Sequence, residues 1–307
     1  MISGNSNIIY TYPNTSSISQ RGGLKSRYLK LKEVNEQLNS PIFQIVEIPA
    51  DFIKNESEER KTGLSVGSFL DCNAVKEIYT NHHIFNETKY ILHTEPIFSR
   101  KGAKGRKMPK IQWYNSSWFD KFCKHLFSII DFFSSTPYAI EIHPGISEKG
   151  KNNEKTLSRA IQRLHDTYTD RYGEEVLIFI ENRTDQYIQD GSDIQSFWEL
   201  FSRDYPDLIH KTGIVLDIQQ FYTATKKFNK DFRIEFSRIP PDSLIGAHIH
   251  ERHKAPRCEY IPREIWEFVA NEQQWTSQNR AFHILPEVHP HSHVIETYNF
   301  CKNFLKI

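Results

Sequence analysis

The amino-acid sequence predicts an α/β protein, a single (β/α)8 TIM barrel over residues 1–307. Short apolar runs rich in β-branched residues alternate with longer amphipathic stretches, a pattern typical of parallel strands joined by crossover helices. Eight strand candidates occur, and this repetition favours a closed barrel over an open doubly wound sheet. No G-x-G-x-x-G signature follows an early strand, which argues against a dinucleotide-binding domain.

The strand candidates follow one another along the whole chain. They are Ile8–Tyr12, Ile42–Ile48, Lys89–His93, Tyr138–His143, Val176–Glu181, Gly213–Asp217, Leu244–His250 and His283–Glu287. The clearest helical patterns lie between them, at Trp118–Phe133, Glu154–Tyr172, Ile194–Phe201, Arg263–Asn271 and His293–Phe304. The connections 49–72 and 99–117 are longer than a minimal barrel needs, so the sequence predicts long loops after strands 2 and 3.

Polar side chains mark several predicted helix ends. Candidate N-caps, which offer an oxygen to the free N–H groups of the first turn, are Ser116 or Ser117, Asn153, and Ser192 or Asp193. Gly173 directly follows one helical pattern and is a candidate C-cap, because glycine readily adopts the left-handed conformation that ends a helix.

Composition restricts the class of protein. The 39 basic and 38 acidic residues nearly cancel, so affinity for a polyanion would have to come from a local patch. The four cysteines form no C-x-x-C pair, and the chain starts without a signal-peptide pattern. No apolar run approaches the length of a membrane-spanning helix. We therefore expect a cytoplasmic protein without a membrane partner, either a monomer or an oligomer of unknown size.

The decisive pattern is the type of residue found where the predicted strands end. Six of the eight strands end in, or run directly into, a side chain that can bind a metal ion: His93, His143, Glu181, Asp217, His248 and Glu287. In a parallel barrel the carboxyl ends of all strands share one face, so these residues are predicted to meet around one mouth.

The chemistry of this set favours a divalent metal. One such residue at a strand end is usually a loop residue satisfied by backbone groups, but burying six is costly unless they are paired or metal-bound. Three imidazoles and three carboxylates suit zinc or a similar first-row ion, with manganese as an alternative. Six ligands exceed what one tetrahedral zinc needs, so two ions that share a bridging carboxylate are expected.

With these residues in place, the chain resembles the xylose-isomerase-like barrel superfamily, and its motifs resemble most those of endonuclease IV. The superfamily pattern of Glu, Asp, His and Glu on the last four strands is matched by Glu181, Asp217, His248 and Glu287. Sugar isomerases, epimerases and nucleases share this pattern, so it implies the fold and metal use more than it implies one reaction.

The resemblance to endonuclease IV rests on three further matches. They are His93 on the third strand, His143-Pro144-Gly145 on the fourth, and Glu181-Asn182 on the fifth. The resemblance implies that His93, His143 and Glu181 hold one zinc ion. It also implies that a second ion is held by Asp217, His248, Glu287 and the shared Glu181.

The sequence departs from the endonuclease IV pattern at the ligands of a third zinc. Gln220 stands where the family has a histidine, and glutamine is a poor zinc ligand. The family's later Asp-x-His pair is matched only partly, by Glu251-Arg252-His253, and this segment follows His248 too closely. The resemblance therefore describes a two-metal relative with an altered substrate.

Further residues are candidates for binding substrate. The loop Arg100–Lys110 carries Arg100, Lys104 and Arg106, and Trp113 follows it, so that the segment could contact a phosphate backbone with stacking nearby or could be a solvated loop. Arg183 could clamp an anionic oxygen or form a surface salt bridge.

Other polar residues have more than one possible role. His250 shares the inward parity of His248 and is a candidate second-shell or substrate group. Glu141 shares the parity of His143 and could orient a ligand histidine or act as an acid–base. His289, His291 and His293 are expected to be loop and cap residues.

Two enzymatic hypotheses and one non-enzymatic hypothesis follow. The first is a metal-dependent phosphodiesterase, similar to endonuclease IV, that acts on DNA or a related phosphate ester with Glu181 and Glu287 at the metals. The alternative is a sugar or keto-acid isomerase or epimerase, in which the same two glutamates move protons beside one metal. The third is a barrel that has lost its chemistry and binds no metal.

Overall fold

The eight strands of the computed structural model form one closed barrel, in the order in which they occur in the chain. The structure describes residues 8–13, 23–50, 88–94, 111–133, 135–147, 150–272 and 281–307. Every neighbouring pair of strands is parallel, including the pair of first and last strands that closes the barrel. The predicted (β/α)8 fold is confirmed.

The strands are β1 Ile8–Tyr12, β2 Phe43–Pro49, β3 Lys89–His93, β4 Ala139–Ile142, β5 Leu177–Glu181, β6 Thr212–Asp217, β7 Leu244–His248 and β8 Phe282–Leu285. The α-helices of the described residues are α1 Gly23–Gln37, α2 Ser116–Phe133, α3 Glu154–Tyr172, α4 Gly191–Asp204, α5 Ile218–Lys227, α6 Phe232–Ser237, α7 Arg263–Asn271 and α8 Ser292–Phe300. A π-helical turn, Cys301–Leu305, extends α8. Residues 51–72 and 99–110 of the predicted long loops lie outside the described residues.

Three strands end earlier than the sequence pattern suggested: β7 ends at His248 rather than at His250, and proline explains the other two ends. β4 ends at Ile142 and β8 ends at Leu285. Pro144 and Pro286 follow closely, and proline has no N–H to donate to a neighbouring strand. His143 and Glu287 therefore lie just beyond the regular sheet, on the backbone that leaves the barrel.

Two predicted helix caps are wrong and two are confirmed. The N–H of Trp118 donates to Asn115 rather than to a serine, and Asp190 caps α4, which begins at Gly191. The prediction placed these helix starts at the first apolar residue, whereas the polar first turns begin earlier. Asn153 caps α3 in a capping box, and Gly173 ends that helix at a φ of 72°.

The barrel interior changes from apolar to charged along its axis. A cluster of inward-facing residues fills one part of it: Ile45, Ile91, Ala139, Phe179, Val215 and Ile245. Two residues further along β2, β3, β4, β5 and β6 the inward positions are Glu47, His93, Glu141, Glu181 and Asp217, because alternate residues of a strand face the same side. The residues between them, such as Leu92 and Ile180, pack under the helices. The strand period thus directs the charged groups into the carboxyl-terminal mouth.

Within the described residues, no helix is long and apolar enough to cross a membrane. Cys123, Cys258 and Cys301 are free thiols, and Cys72 lies outside the described residues.

The first turn of α4 generates a prediction about stability. Burial, together with the carboxylate of Asp190, raises the pKa of Asp193 to about 6. Above that pH Asp193 is ionised in the folded protein, which lowers the free energy of unfolding. Below the pKa of the unfolded state the residue is neutral in both states, so it has no such effect. We expect Asp193→Asn to stabilise the protein at pH 7.5, on the order of 1 kcal/mol, and to have little effect at pH 4.

Urea denaturation of both proteins across this pH range measures the difference. A stability difference that does not change between pH 4 and pH 7.5 would contradict the assigned cause.

Candidate metal centre

Three groups of potential metal ligands lie at the mouth of the barrel, and they contain all six residues predicted at the strand ends. The first group is His93, His143 and Glu181; the second is Glu181, Asp217, His248 and Glu287; the third is His250, His253 and Glu287. In each group, one ligand atom per residue lies within 4.8 Å of the others. Glu181 belongs to two groups, and so does Glu287.

The first group brings two imidazoles to one carboxylate. The Nε2 atom of His93 lies 3.0 Å from Glu181 Oε2 and 3.3 Å from His143 Nε2. His143 Nε2 lies 3.5 Å from the same Glu181 oxygen. Three ligand atoms from β3, the end of β4 and β5 thus face one point, and His143 and Glu181 are completely buried.

The second group shares the Oε2 atom of Glu181 with the first group. His248 Nδ1 lies 3.8 Å from Glu181 Oε2 and 3.4 Å from Glu287 Oε2. Asp217 is fixed from both ends, because its backbone N–H donates to Asn182 Oδ1 at 2.7 Å and its Oδ1 accepts the N–H of Gln220 at 2.9 Å. The remaining oxygen, Oδ2, faces the mouth. Glu287 is the most accessible of the four, with a side-chain exposure of 17%.

Two further glutamates orient the histidines. Glu47 Oε1 lies 2.7 Å from His93 Nδ1, and Glu141 Oε1 lies 3.0 Å from His248 Nε2. When a carboxylate accepts a hydrogen bond from the N–H of one ring nitrogen, the other ring nitrogen of a neutral histidine carries no hydrogen, and its lone pair can bind a metal. His93 is therefore held with Nε2 towards the first group, and His248 with Nδ1 towards the second. Of the two roles left open for Glu141, its position favours orientation of a histidine.

Burial and neighbouring charges shift the pKa values of the histidines and carboxylates in the site. Burial lowers the pKa of His93 and of His248, but the surrounding carboxylates, Glu141 first among them, together more than offset this and hold both pKa values well above the ordinary histidine value. Burial, with His93 next to it, holds the pKa of His143 well below that value. Burial raises the pKa of Glu181. Charge on Glu181 is therefore costly unless a cation lies beside it.

The residues present fit a divalent metal. Glu181 Oε1, His248 Nδ1 and Glu287 Oε2 are buried atoms that make no hydrogen bond within the described part of the chain. Buried polar atoms are almost always hydrogen-bonded, so such atoms need an explanation. His248 Nε2 faces Glu141, so the lone pair of Nδ1 in the neutral ring would meet two carboxylates. Without a metal a proton on Nδ1 removes this repulsion, as the raised pKa of His248 shows, and a metal ion could take the place of that proton.

The third group differs from the other two because of a backbone hydrogen bond. The N–H of His253 donates to His250 Nδ1 at 3.1 Å, so that nitrogen is an acceptor and Nε2 carries the ring hydrogen. That Nε2 lies 3.1 Å from Glu287 Oε2 and 3.3 Å from Asp217 Oδ2. His250 therefore donates to Asp217 and also lies against Glu287, so it contacts two ligands of the second group. Burial lowers its pKa, but these carboxylates raise it to about 10, and the protonated form also keeps hydrogen on Nε2.

The histidines beyond the strands form a stack. His253 lies 4.9 Å from the ring of His250 and 4.3 Å from the ring of His289, with the planes nearly parallel. Its Nδ1 lies 3.6 Å from Glu287 Oε1. His291 contacts the hydroxyl of Tyr12 and makes no side-chain cap hydrogen bond at the start of α8, and His293 accepts the N–H of Ala255.

The remaining sequence candidates fall into different places. Arg183 lies at the rim, with Nη1 3.7 Å from Glu181 Oε1. Trp113, expected to stack on a substrate, is instead buried: its indole N–H donates to the carbonyl of His143 at 3.0 Å, and its ring packs against Trp118. Arg100, Lys104 and Arg106 lie outside the described residues.

The structure also explains the departures from the endonuclease IV pattern. The Gln220 side chain accepts the N–H of Thr184 at 3.3 Å and does not face the ligand groups. Glu251 is turned away from them into the loop that follows β7. His253 reaches Glu287 despite its closeness to His248 in sequence, because a turn at positive φ, formed by Arg252 and His253, reverses the chain.

Two residues of the site were not found by sequence analysis. Glu47 lies inside an apolar strand, and its inward parity was the available signal, but it is not at the strand end. His253 was set aside because of its spacing, and no strand or helix pattern predicts the local turn that brings it back.

Comparisons with known proteins give a structural likeness alone. No protein-family model matches the chain, and no curated protein matches it in sequence. The probable 3-DHS dehydratase AsbF of Bacillus anthracis, involved in petrobactin synthesis, is similar in structure with 9% sequence identity and a TM-score of 0.51. The likeness covers 96% of this chain and 99% of that one. An endo-β1,6-glucanase has 10% identity and a TM-score of 0.46, over 91% of this chain and 66% of its own.

At this identity the likeness shows the fold. The fold is the (β/α)8 barrel that the sequence predicted, and the resemblance to the xylose-isomerase-like barrels stays a prediction. A particular closeness to endonuclease IV stays a prediction.

The position of Glu47 generates a test of the orienting contacts. We expect Glu47→Ala to weaken zinc binding roughly 10- to 100-fold, the usual effect of losing a carboxylate behind a metal-binding histidine. Glu47→Gln retains an oxygen that accepts from His93 Nδ1 and is the matched control, with a smaller effect. Competition with a chromophoric chelator measures the affinities, and circular dichroism checks folding. Equal affinity of Glu47→Ala and the parent protein would contradict the role.

Proposed function

We propose that this protein is a metal-dependent phosphodiesterase that acts on DNA or a related phosphate ester through two divalent ions, preferably zinc. The observation that carries the proposal is the shared position of Glu181. Its Oε2 atom lies 3.0 Å from His93 Nε2, 3.5 Å from His143 Nε2 and 3.8 Å from His248 Nδ1, so histidines of both ligand groups share one oxygen. A buried carboxylate between two ligand groups is suited to bridge two ions.

The ligands divide into two sets around that bridge. His93, His143 and Glu181 would hold one ion, and Glu181, Asp217, His248 and Glu287 would hold the other. Bound divalent ions lower the pKa of water and stabilise the attacking and leaving oxygens of an in-line displacement. Manganese also suits this mixture of imidazoles and carboxylates.

The side chains around the ligands have separate tasks. Glu287 is the ligand most open to solvent, so it is the carboxylate best placed to accept a proton from an attacking water. Arg183 lies at the rim, where its guanidinium group would donate N–H groups to a phosphate oxygen. Glu141 and Glu47 keep His248 and His93 in their binding orientation.

Two ions, rather than three, follow from the hydrogen bonds of His250. A nitrogen that carries hydrogen cannot bind a metal, and His250 Nε2 donates to Asp217 Oδ2 while lying 3.1 Å from Glu287 Oε2. His250 is therefore a positioning residue that holds two carboxylates of the second set.

An isomerase or epimerase is the second candidate. Glu181 and Glu287 both approach His248 Nδ1, at 3.8 and 3.4 Å, so they flank one possible ion position. In that reaction a single ion held by the second set polarises a substrate carbonyl while the two glutamates move protons. This candidate gives no role as ligands to His93 and His143, which makes the number of bound ions the discriminating measurement.

The proposal predicts both metal content and cleavage. After loading with zinc or manganese, we expect two ions per chain by elemental analysis, and cleavage of a DNA duplex with an abasic site or of undamaged DNA. His143→Ala should lose one ion and most of the activity. His293→Ala, which changes a histidine outside the ligand groups, is the matched control and should keep two ions.

Each failure of this experiment has a distinct meaning. Two bound ions without hydrolysis of any phosphate ester would reject the phosphodiesterase. One ion that persists in His143→Ala would favour the isomerase. Absence of bound metal would leave the barrel as a binding protein without this chemistry.

A further inference from the structure

The loop that follows β7, residues 251–260, forms one wall of a pocket beside the metal centre. The cavity has a volume of about 430 Å³, within the range of small-ligand sites. Its lining residues are Glu251, Arg252, Lys254, Ala255, Arg257, Glu259, Tyr260 and His293. None of these residues has a task in the proposed metal chemistry.

The pocket adjoins the reacting centre through His253. This residue lies between Arg252 and Lys254 in the chain, and its Nδ1 is 3.6 Å from Glu287 Oε1. The backbone carbonyl of His253 accepts the N–H of His289 at 2.9 Å, which ties the loop to the segment that follows β8. Arg252 and Lys254 of the pocket are therefore each one residue along the chain from a side chain that contacts Glu287.

The charge of the pocket is positive where it meets solvent. Arg252 and Lys254 are exposed and have no carboxylate partner among the described residues, and the Arg252 guanidinium lies 4.3 Å from the ring centre of Tyr260. Arg257 pairs with Glu296 at 3.1 Å. Glu259 is the exposed acid of the lining, so two unpaired cations outweigh it.

The nearest carboxylate, Glu251, does not cancel these cations, because its charge is satisfied inside the loop. Its oxygens accept the backbone N–H groups of Arg257, Cys258, Glu259 and Tyr260 and the indole N–H of Trp266. Five donors around one buried carboxylate also fix the shape of the loop. Gln219 accepts the N–H of Arg252 and holds the other end. The cations are thus presented on a rigid support, which lowers the entropic cost of binding.

We propose that this pocket is an anion subsite for a nucleic-acid strand, in which Arg252 and Lys254 bind a phosphate adjacent to the one at the metals. The inference rests on the proposed phosphodiesterase function and narrows its substrate to a polymer with successive phosphates. A strand offers Tyr260 a base or sugar face as well as offering the cations a phosphate. A small phosphorylated metabolite with one phosphate at the metals leaves this pocket without a ligand.

The test measures affinity for a short DNA duplex by fluorescence anisotropy over a series of salt concentrations. We expect Lys254→Gln to weaken binding about three- to tenfold at low salt and to reduce the slope of log Kd against log salt by about 1, the effect of losing one phosphate contact. Lys254→Glu should weaken binding further. Lys89→Gln is the matched control: it changes an exposed lysine at the opposite end of the barrel and should leave Kd and slope unchanged.

A second substrate separates this inference from the proposed function. Hydrolysis of bis(p-nitrophenyl) phosphate, a small diester with one phosphate, reports the metal chemistry of the parent protein. If the parent hydrolyses this diester but Lys254→Gln and Lys254→Glu bind DNA as tightly as Lys89→Gln, the subsite is overturned and the phosphodiesterase remains. If the parent does not hydrolyse it while the salt slope still falls in Lys254→Gln, the phosphodiesterase fails and the anion site remains.

Discussion

The carboxylate of Glu181 is the interaction on which the site depends. It is completely buried at the end of β5, and histidines from β3, β4 and β7 converge on it. An isolated charge in such a place is strongly unfavourable. The surrounding imidazoles offset this cost, and a cation bound beside Glu181 would offset it further. The other ligands are arranged by their distance from this group, and the two sets they form meet only there.

The barrel supplies this arrangement through strand periodicity. Inward positions two residues apart stack along the axis, so Ile91 lies under His93, Ala139 under Glu141, and Phe179 under Glu181. The apolar layer provides close packing and excludes water beneath the charged layer. The apolar layer lowers the local dielectric next to the charged layer, and this strengthens the electrostatic interactions among the charged groups. Glu47 and Glu141 are not metal ligands in the proposal. Their contacts with His93 and His248 are strengthened by this low-dielectric environment and hold the two histidines in one orientation.

The loop that follows β7, at the rim of the barrel, is also held in place by buried polar side chains. Glu251 accepts five hydrogen bonds within one loop, and His250 receives the backbone N–H of His253. Both contacts convert flexible chain after β7 into a fixed surface, with Arg252 and Lys254 on its outer side. The metal centre and the basic pocket are therefore connected parts of one structure, since the same short turn forms the edge of each.

The sequence by itself determined the barrel and the convergence of the strand-end residues. Apolar runs that end in His93, Glu181 and Asp217 show the strand and its last inward position together, because the strand period is local. Only the tertiary structure decided the roles of Glu47 and His253 and the burial of Trp113. Those outcomes depend on contacts between segments distant in sequence and on turns whose direction no local pattern specifies. Side-chain partners such as His93 for Glu47 exist only once β2 and β3 lie side by side.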